Sequence, residues 1–189
     1  DGSHIPVVIA VHPSTAGFEA SRPVRVWGRI GLSVDSHDRA DLSTNKISVL
    51  RHVLRVDGRT ILTSTYDRVA YADGHLVALD RLRPAPEIGV FSALFRRPGN
   101  RLSFYQTPTP GQDGTLQAGG EQGLQPGTHE VVVLAQHVAG HMTSARFPPL
   151  VSAPAPLAAP RLAACPPLSP LLPSHFPHLD HRPLRRVIP

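Results

Sequence analysis

The chain has 189 residues, a formal net charge of +5 at pH 7 and a single cysteine, Cys165. Its length suits one domain of ordinary size plus a tail, and a body of about 150 residues can bury a core without disulfides. One cysteine excludes an intramolecular disulfide. No apolar run approaches the roughly 20 residues that a transmembrane helix needs, so we expect no membrane span.

The positive charge is unevenly distributed along the chain. Beyond residue 151, four arginines against one aspartate carry +3 of the total, which leaves about +2 for the rest. That falls short of the concentrated basic surface that neutralises phosphates, so we expect no nucleic-acid partner. The first residues lack the basic segment and cleavage site of a secretory signal. We therefore expect a mature chain or a fragment, or a chain that was never exported.

Two apolar segments precede the first polar loop. Residues 5–11 form a short run that predicts a first strand, which residues 12–15 interrupt. Residues 24–34 alternate apolar side chains with arginine, tryptophan or serine, a period of two that is typical of a half-buried strand. Gly28 and Gly31 interrupt this pattern and indicate a bend or bulge. We predict a central strand over 24–34.

The loop at 35–45 collects oxygen-bearing side chains: Asp35, Asp38, Asp41 and Asn45. Carboxylate and amide oxygens are ligands that Ca²⁺ prefers, so one interpretation is a calcium site, the one cofactor that the sequence suggests. The loop lacks the spacing of an EF-hand, and Asp and Asn are common in loops because they cap turns. Ordinary turn chemistry is therefore the alternative.

Residues 47–66 predict a β-hairpin. Two runs rich in Val, Leu, Ile and Thr flank Asp57-Gly58, a pair that supplies the positive φ angles of a two-residue type I′ turn. In the first run, every second residue from 50 to 56 is apolar or histidine, and the other face carries Arg51 and Arg55. We therefore expect a half-buried hairpin in an antiparallel sheet.

Residues 67–127 read as a long insertion. Asp73-Gly74 predicts a turn before a short strand at 75–79, and the apolar spacing of 88–96 predicts two turns of helix. A connection this long is usually either functional or flexible. Its aromatic side chains predict either a ligand-binding surface or a satellite core beneath the loop. They are Phe91, Phe95, Phe104 and Tyr105.

The end of the body predicts two further strands. Residues 129–138 are almost continuously apolar in their centre, residues 139–141 form a turn, and residues 143–151 can pair back. Successive strands without regular helix–strand alternation favour an antiparallel β-sandwich over an α/β fold. We predict an all-β domain, an immunoglobulin-like antiparallel sandwich, over residues 1–151.

Residues 152–189 differ sharply in composition from the body, with ten prolines in 38 residues. Proline removes backbone donors and interrupts helices, so we predict a disordered, proline-rich linker or tail. Out-of-frame translation of GC-rich DNA would yield a similar mixture of Pro, Ala, Leu, Arg and His. Both explanations stay open.

The sequence contains no motif for catalysis. His137 and His141 are four residues apart, but they span a strand end and a turn, and no His-x-His or His-Glu-x-x-His motif occurs. Gly-x-Ser-x-Gly, the P-loop pattern and Gly-x-Gly-x-x-Gly are absent as well. We therefore predict that this chain is not an enzyme.

Residues 123–141, GLQPGTHEVVVLAQHVAGH, carry a resemblance. They resemble the Pro-Gly…Ala-Gly signature of bacterial immunoglobulin-like and fibronectin type III-like surface modules, with His137 at the usual Asp and His141 at the usual Asn. Over roughly 5–151 the chain is similar to the β-sandwich accessory domain that precedes the catalytic domain of some lysostaphin-like zinc peptidases of bacterial cell walls. The zinc motifs of that family are missing here.

The resemblance implies a non-catalytic module that positions the peptidase domain of a bacterial cell-envelope hydrolase, itself encoded elsewhere. Its expected partners are that domain or a cell-wall component, and its expected location is the cell envelope or outside the cell. The alternative is a free-standing glycan- or protein-binding module that uses the aromatic residues of 67–127. A third possibility is an enzyme with an unrecognised site in the same segment.

Overall fold

The computed structural model describes residues 6–39, 46–84 and 89–152. In these ranges the chain is all-β, with short strands joined by turns, one 3-10 helix (Tyr71–Leu76) and one short helix, α1 (Val77–Asp80). The all-β prediction is confirmed. The strands are β1 (Val11–Ser14), β2 (Gly17–Ala20), β3 (Val24–Val26), β4 (Gly28–Ile30), β5 (Ser33–Val34), β6 (Asp38–Arg39), β7 (Lys46–Ile47), β8 (Arg51–Val56), β9 (Arg59–Thr65), β10 (Arg81–Leu82), β11 (Phe91–Ala93), β12 (Tyr105–Gln106), β13 (Leu116–Ala118), β14 (Gly127–Thr128), β15 (Val131–Gln136), β16 (Met142–Phe147) and β17 (Pro149–Val151).

A seven-stranded sheet organises the described part of the molecule. Its strands lie in the order β1-β2-β16-β15-β8-β9-β12, and all neighbours are antiparallel except β2 and β16. Smaller sheets hold the other strands, in the orders β10-β11-β5, β13-β4, β14-β17-β3 and β6-β7. In the described ranges, no helix is long and apolar enough to cross a membrane.

The predicted hairpin is confirmed as β8 and β9. Its turn residues Asp57 and Gly58 have φ angles of 48° and 77°, the left-handed conformation that a type I′ turn requires. Facing the core from β8, His52, Leu54 and Val56 are all buried. A register shift after Leu54 shows a bulge in the hairpin.

The core lies against the inner face of the large sheet. Leu54, Leu62 and Val131 of this sheet are fully buried. Segment 67–127 supplies further members of the same cluster, among them Leu76, Leu94, Leu102, Phe104, Tyr105 and Leu116. Full burial of a large apolar side chain stabilises the fold by about 1.5–3 kcal/mol. This segment is therefore an integral part of the domain.

Two predictions within 67–127 are wrong. Residues 75–79 are helical, because the 3-10 helix runs directly into α1. The described part of 88–96 contains strand β11, which pairs with both β5 and β10. Its Ser92 and Ala93 are buried by this pairing. Short apolar runs fit either period, and tertiary contacts decided both cases.

The predicted strand bounds in the first 34 residues are wrong as well. The expected central strand at 24–34 is three short strands, which pair with β17, β13 and β11 in separate sheets. The chain is interrupted at Gly31, where a Cβ atom would lie 2.6 Å from the ring of Phe95. The strand predicted at 5–11 is wrong, because the described residues 6–10 form no strand. Instead, β1 (Val11–Ser14) covers most of the expected break at 12–15, and as an edge strand it can accommodate Pro13.

The end of the body agrees with its prediction. Strands β15 and β16 form the expected antiparallel pair, and the closing strand is divided at Pro148 into β16 and β17. Of the predicted proline-rich tail, only Ser152 is described, and its N–H donates to the carbonyl of Val26 at 3.2 Å. The rest of that segment lies outside the described residues.

Candidate functional site

An open groove of about 590 Å³ lies at one end of the large sheet. Its walls come from β2, the β8–β9 turn, the β14–β15 connection and β16. Charged and apolar side chains both line it, including Glu19, Asp57, His129, Glu130, Arg146 and Phe147. A concave surface with a few convergent polar groups is the usual form of a binding site.

The Asp57 carboxylate anchors one wall of the groove. Its Oδ1 accepts the Glu130 N–H at 2.8 Å, and its Oδ2 lies 2.7 Å from His129 Nδ1. Partial burial acts to raise the pKa of Asp57, but the Glu130 and His129 hydrogen bonds, with the charges of His129 and Arg59, lower it overall. Asp57 is therefore ionised at neutral pH and joins the hairpin turn to the start of β15.

Two further carboxylates contribute to the charge of the groove. Glu130 lies 3.9 Å from Arg146 in an exposed ion pair, and Glu19 stands beside Arg146 in the register of β2 and β16. An exposed pair at that distance adds little stability. The charged side chains of this wall thus remain available to a partner.

A second polar cluster lies inside the molecule, around Asp80 at the end of α1. Asp80 is fully buried, and its carboxylate accepts hydrogen bonds from Tyr105 and, at 3.4 Å, from Tyr66. The guanidinium of Arg81 lies 3.2 Å from the other carboxylate oxygen and 5.3 Å from the centre of the Tyr66 ring. Burial raises the pKa of Asp80 and also the pKa of Tyr66, the latter to about 12.

The Asp80 cluster is a structural feature. A carboxylate without solvent exposure offers a substrate no access. The cluster instead joins α1 to β9 and to β12, because Tyr66 directly follows β9 and Tyr105 belongs to β12. Breaking such a buried ionic network by removing one partner is strongly destabilising.

His52 and Ser36 form a third polar pair, 2.6 Å apart between His52 Nε2 and Ser36 Oγ. Burial, together with the charge of Arg81, lowers the pKa of His52 to about 4. Its buried Nδ1 has no hydrogen-bond partner among the described residues. A catalytic histidine is normally oriented by a third group at this atom, which is missing here. The pair is a buried contact of the core.

Two of the four proposed calcium ligands are among the described residues. Asp35 lies 3.6 Å from His37, and Asp38 contacts Nε2 of His137, whereas Asp41 and Asn45 lie outside the described residues. Among the residues that are described, no group of three or more His, Cys, Asp or Glu side chains could hold a metal ion. The calcium interpretation of the loop stays a prediction.

The contact between Asp38 and His137 is a hydrogen-bonded pair. His137 Nδ1 accepts the Ala139 N–H at 2.9 Å, so a neutral ring carries its proton on Nε2, which faces Asp38. That nitrogen has no free lone pair for a metal. The ring of His141 stacks on His137 with centroids 6.0 Å apart. The two histidines therefore stabilise the β15–β16 turn.

The four aromatic residues of segment 67–127 divide into two pairs. Phe104 and Tyr105 are 4% and 5% exposed, their rings lie 4.8 Å apart, and both belong to the core cluster. Phe91 and Phe95 are only partly buried, and Phe95 packs on Gly31. Phe104 and Tyr105 thus have little surface to offer a ligand.

Sequence patterns did not reveal the groove. The turn residue Asp57 was recognisable, but His129 and Glu130 lie more than 70 residues away along the chain. The one signal near them is the Pro-Gly-x-His arrangement at 126–129, which indicates a turn followed by a polar side chain. No local pattern shows that this histidine meets the hairpin turn.

Comparisons with protein-family models, curated proteins and solved structures found no match to this chain. The resemblance of residues 123–141 to immunoglobulin-like and fibronectin type III-like modules is therefore a prediction that these comparisons do not support.

Proposed function

We propose that this chain is a non-catalytic binding module that holds and positions a partner polypeptide in the groove beside Asp57. The observation that carries the proposal is the groove itself, whose walls are contributed by four separate segments of the chain. Such walls are held by the packed sheet, so they can present side chains in a fixed geometry. An extended peptide is the ligand that an open groove of this size suits best.

The charges of the groove favour a partner with a cationic group. Three carboxylates, Glu19, Asp57 and Glu130, face Arg146 and His129. Asp57 is already engaged by His129, whereas the side chain of Glu130 is 57% exposed and only weakly paired. A lysine, arginine or free amine on the partner would therefore be complementary to Glu19 and Glu130.

The arrangement of the large sheet supports a finer interpretation of the fold as an immunoglobulin-like sandwich. Strands β16, β15, β8 and β9 are consecutive neighbours, which is the G–F–C–C′ order of a variable-type immunoglobulin sheet. The smaller sheets would then form the opposing layer.

Within that fold, we propose an accessory role in a bacterial cell-envelope hydrolase, with the peptide part of the cell wall or the peptidase domain as the partner. This role rests on the resemblance of residues 123–141 and on the groove. The free-standing alternative, in which the aromatics of 67–127 contact the ligand, is the weaker one because Phe104 and Tyr105 belong to the core.

The test is cosedimentation of the full chain with purified insoluble peptidoglycan, alongside fluorescence titration with lysine-containing cell-wall peptides. We expect binding that the double variant Glu19→Gln/Glu130→Gln weakens at least tenfold. Glu121→Gln is the matched control, because Glu121 is exposed but does not line the groove. Binding that the double variant leaves unchanged would exclude the groove, and absence of binding to either probe would exclude the cell-wall peptide as the partner.

A further inference from the structure

The side chain of His129 lies between two hydrogen-bond acceptors. Its Nδ1 is 2.7 Å from Asp57 Oδ2, and its Nε2 is 2.8 Å from the carbonyl oxygen of Gln125. The side chain is 16% exposed, so bulk water has only limited access to it. We infer that His129 is held as an imidazolium and forms a proton-dependent clamp between the β8–β9 turn and the loop that ends at Gln125.

The inference follows from the donor count of imidazole. A neutral ring has one N–H and one lone pair, whereas the imidazolium has two N–H donors. A carboxylate oxygen and a carbonyl oxygen both accept, so a neutral His129 would place its lone pair against one of them. Only the protonated ring satisfies both contacts. Rotating the ring by 180° would place carbon atoms against the acceptors and would remove both bonds.

Both acceptors are fixed by other bonds. Asp57 is bonded to Glu130 twice, since its carboxylate accepts the Glu130 N–H at 2.8 Å and its own N–H donates to the Glu130 carbonyl at 2.9 Å. The side chain of Gln125 donates to the carbonyls of Gly120 and Gly123. The N–H of His129 donates to Pro149 in β17 at 3.1 Å. His129 thus connects the β8–β9 turn, the loop at 120–125 and strand β17.

The surrounding charges favour the cation. Asp57 faces His129 from the hairpin, where the charge of Arg59 acts on Asp57. Glu130 is the residue next to His129, and Glu19 and Arg146 line the same groove from β2 and β16. Three carboxylates against two guanidinium groups leave a net negative environment. The Gln125 carbonyl and then the Asp57 carboxylate raise the pKa of His129 above its ordinary value of 6.5.

The sign of the pH effect follows from that direction. Because folding raises the pKa of His129, the clamp stabilises the fold fully below about pH 6.5, the ordinary pKa of histidine. The contribution is lost as the pH rises through the raised value, and one acceptor then loses its donor. We expect the Gln125 contact to be released first, because Asp57 carries the charge and would retain the remaining N–H. The inference does not depend on the proposed binding function.

The experiment is an NMR titration of the full chain from pH 5 to 9, with long-range ¹H–¹⁵N spectra that distinguish an imidazolium from either neutral tautomer. We expect both ring nitrogens of His129 to be protonated at pH 6.5 and its midpoint to lie above that of the exposed His75. Above that midpoint, amide exchange in residues 123–128 should accelerate several-fold more than the base-catalysed increase that all amides share. A neutral tautomer of His129 at pH 6.5, or a midpoint at or below that of His75, would overturn the inference.

The variant Asp57→Asn sharpens the test. Asn tolerates the left-handed conformation of a type I′ turn, so the substitution preserves the hairpin and an acceptor for the Glu130 N–H while removing the charge. We expect the His129 midpoint to fall towards that of His75, with no change at His141. An unchanged midpoint in a folded variant would show that Asp57 does not hold the proton. The wild-type titration decides the question even if the variant fails to fold.

Discussion

Asp57 shows how one residue can serve two purposes in a small domain. Its backbone adopts a φ of 48°, which Asp tolerates better than most residues, and this allows the tight turn between β8 and β9. Its carboxylate then bonds to His129 and Glu130, which lie more than 70 residues away along the chain. The turn is therefore both a local feature and a tertiary anchor.

The first prediction concerns Gly58, the other turn residue. Its φ of 77° disfavours any residue with a Cβ, and open space surrounds the position, so a side chain there would cause backbone strain without a clash. Gly58→Val should lower the free energy of unfolding by about 1–3 kcal/mol. Urea denaturation measures the change. Gly74→Val is the matched control, because Gly74 has the same open surroundings without a positive φ. Equal effects of the two variants would argue against a strained turn.

The second prediction concerns His52, which makes stability depend on pH in the opposite direction to His129. Folding lowers the pKa of His52 to about 4, so the unfolded chain binds the proton more readily. Its neutral form supports the fold above pH 6.5, and that support is lost as the pH falls towards 4. The full change amounts to about 3 kcal/mol by proton linkage.

The variant His52→Gln tests this assignment, because glutamine can bond to Ser36 without titrating. Denaturation at pH 7 and at pH 4.5 should show a smaller loss of stability for the variant than for the wild type. His12→Gln, at an exposed position of β1, is the control and should behave as the wild type. A variant with the same acid loss as the wild type would assign that loss to other groups.

At the scale of elements, the two edge strands of the large sheet differ in length and in composition. β12 closes one edge with only two residues, whereas β1 closes the other with four, including Pro13. Val11 and Phe18 beside that edge are 45% and 38% exposed. An open edge with apolar neighbours is prone to pairing with another chain, and a proline on it removes one donor.

The third prediction follows from Pro13. Replacing it by valine restores a backbone N–H to the exposed edge and increases strand propensity, so Pro13→Val should promote self-association. Sedimentation velocity over a range of concentrations would show a rising weight-average mass for the variant. Pro23→Val, at an exposed position outside the strands, is the control. A variant that sediments like the wild type at all concentrations would show that Pro13 does not protect the edge.

On the scale of the whole molecule, the core is assembled from distant parts of the chain. Leu54 of β8, Leu94 after β11, Leu116 of β13 and Val133 of β15 belong to one cluster. The polar contacts of Asp80 and the clamp of His129 each connect segments far apart along the chain. Contacts of this kind make the domain cooperative, so local changes should be felt as changes in global stability.

The fourth prediction concerns the extent of the folded unit. Among the described residues, every member of the core cluster precedes Val151, which is itself 2% exposed in β17. Truncation after Ser152 keeps the hydrogen bond from its N–H to Val26. We therefore expect the melting temperature to change by no more than about 2 °C, which for a domain of this size corresponds to less than 1 kcal/mol. A fall of 10 °C or more, measured by calorimetry, would show that residues beyond 152 contribute to the core.

The sequence by itself determined the parts that depend on neighbouring residues. Asp57-Gly58 predicted the hairpin because its turn type depends on two adjacent φ angles, and the alternation in β8 predicted which side chains face the core. The apolar run of β15 predicted its strand in the same way. These features together were enough for the all-β class.

Only the tertiary structure decided the features that depend on distant contacts. Residues 75–79 and 91–93 fit both helix and strand locally, and pairing with β5 and β10 settled the latter. Residues 24–34 form three separate strands because each of these strands pairs with a different neighbour. The groove required β2, the hairpin turn and the start of β15 to meet. The protonation of His129 also depends on a distant contact, because the acceptors of its two ring nitrogens lie four and 72 residues away along the chain.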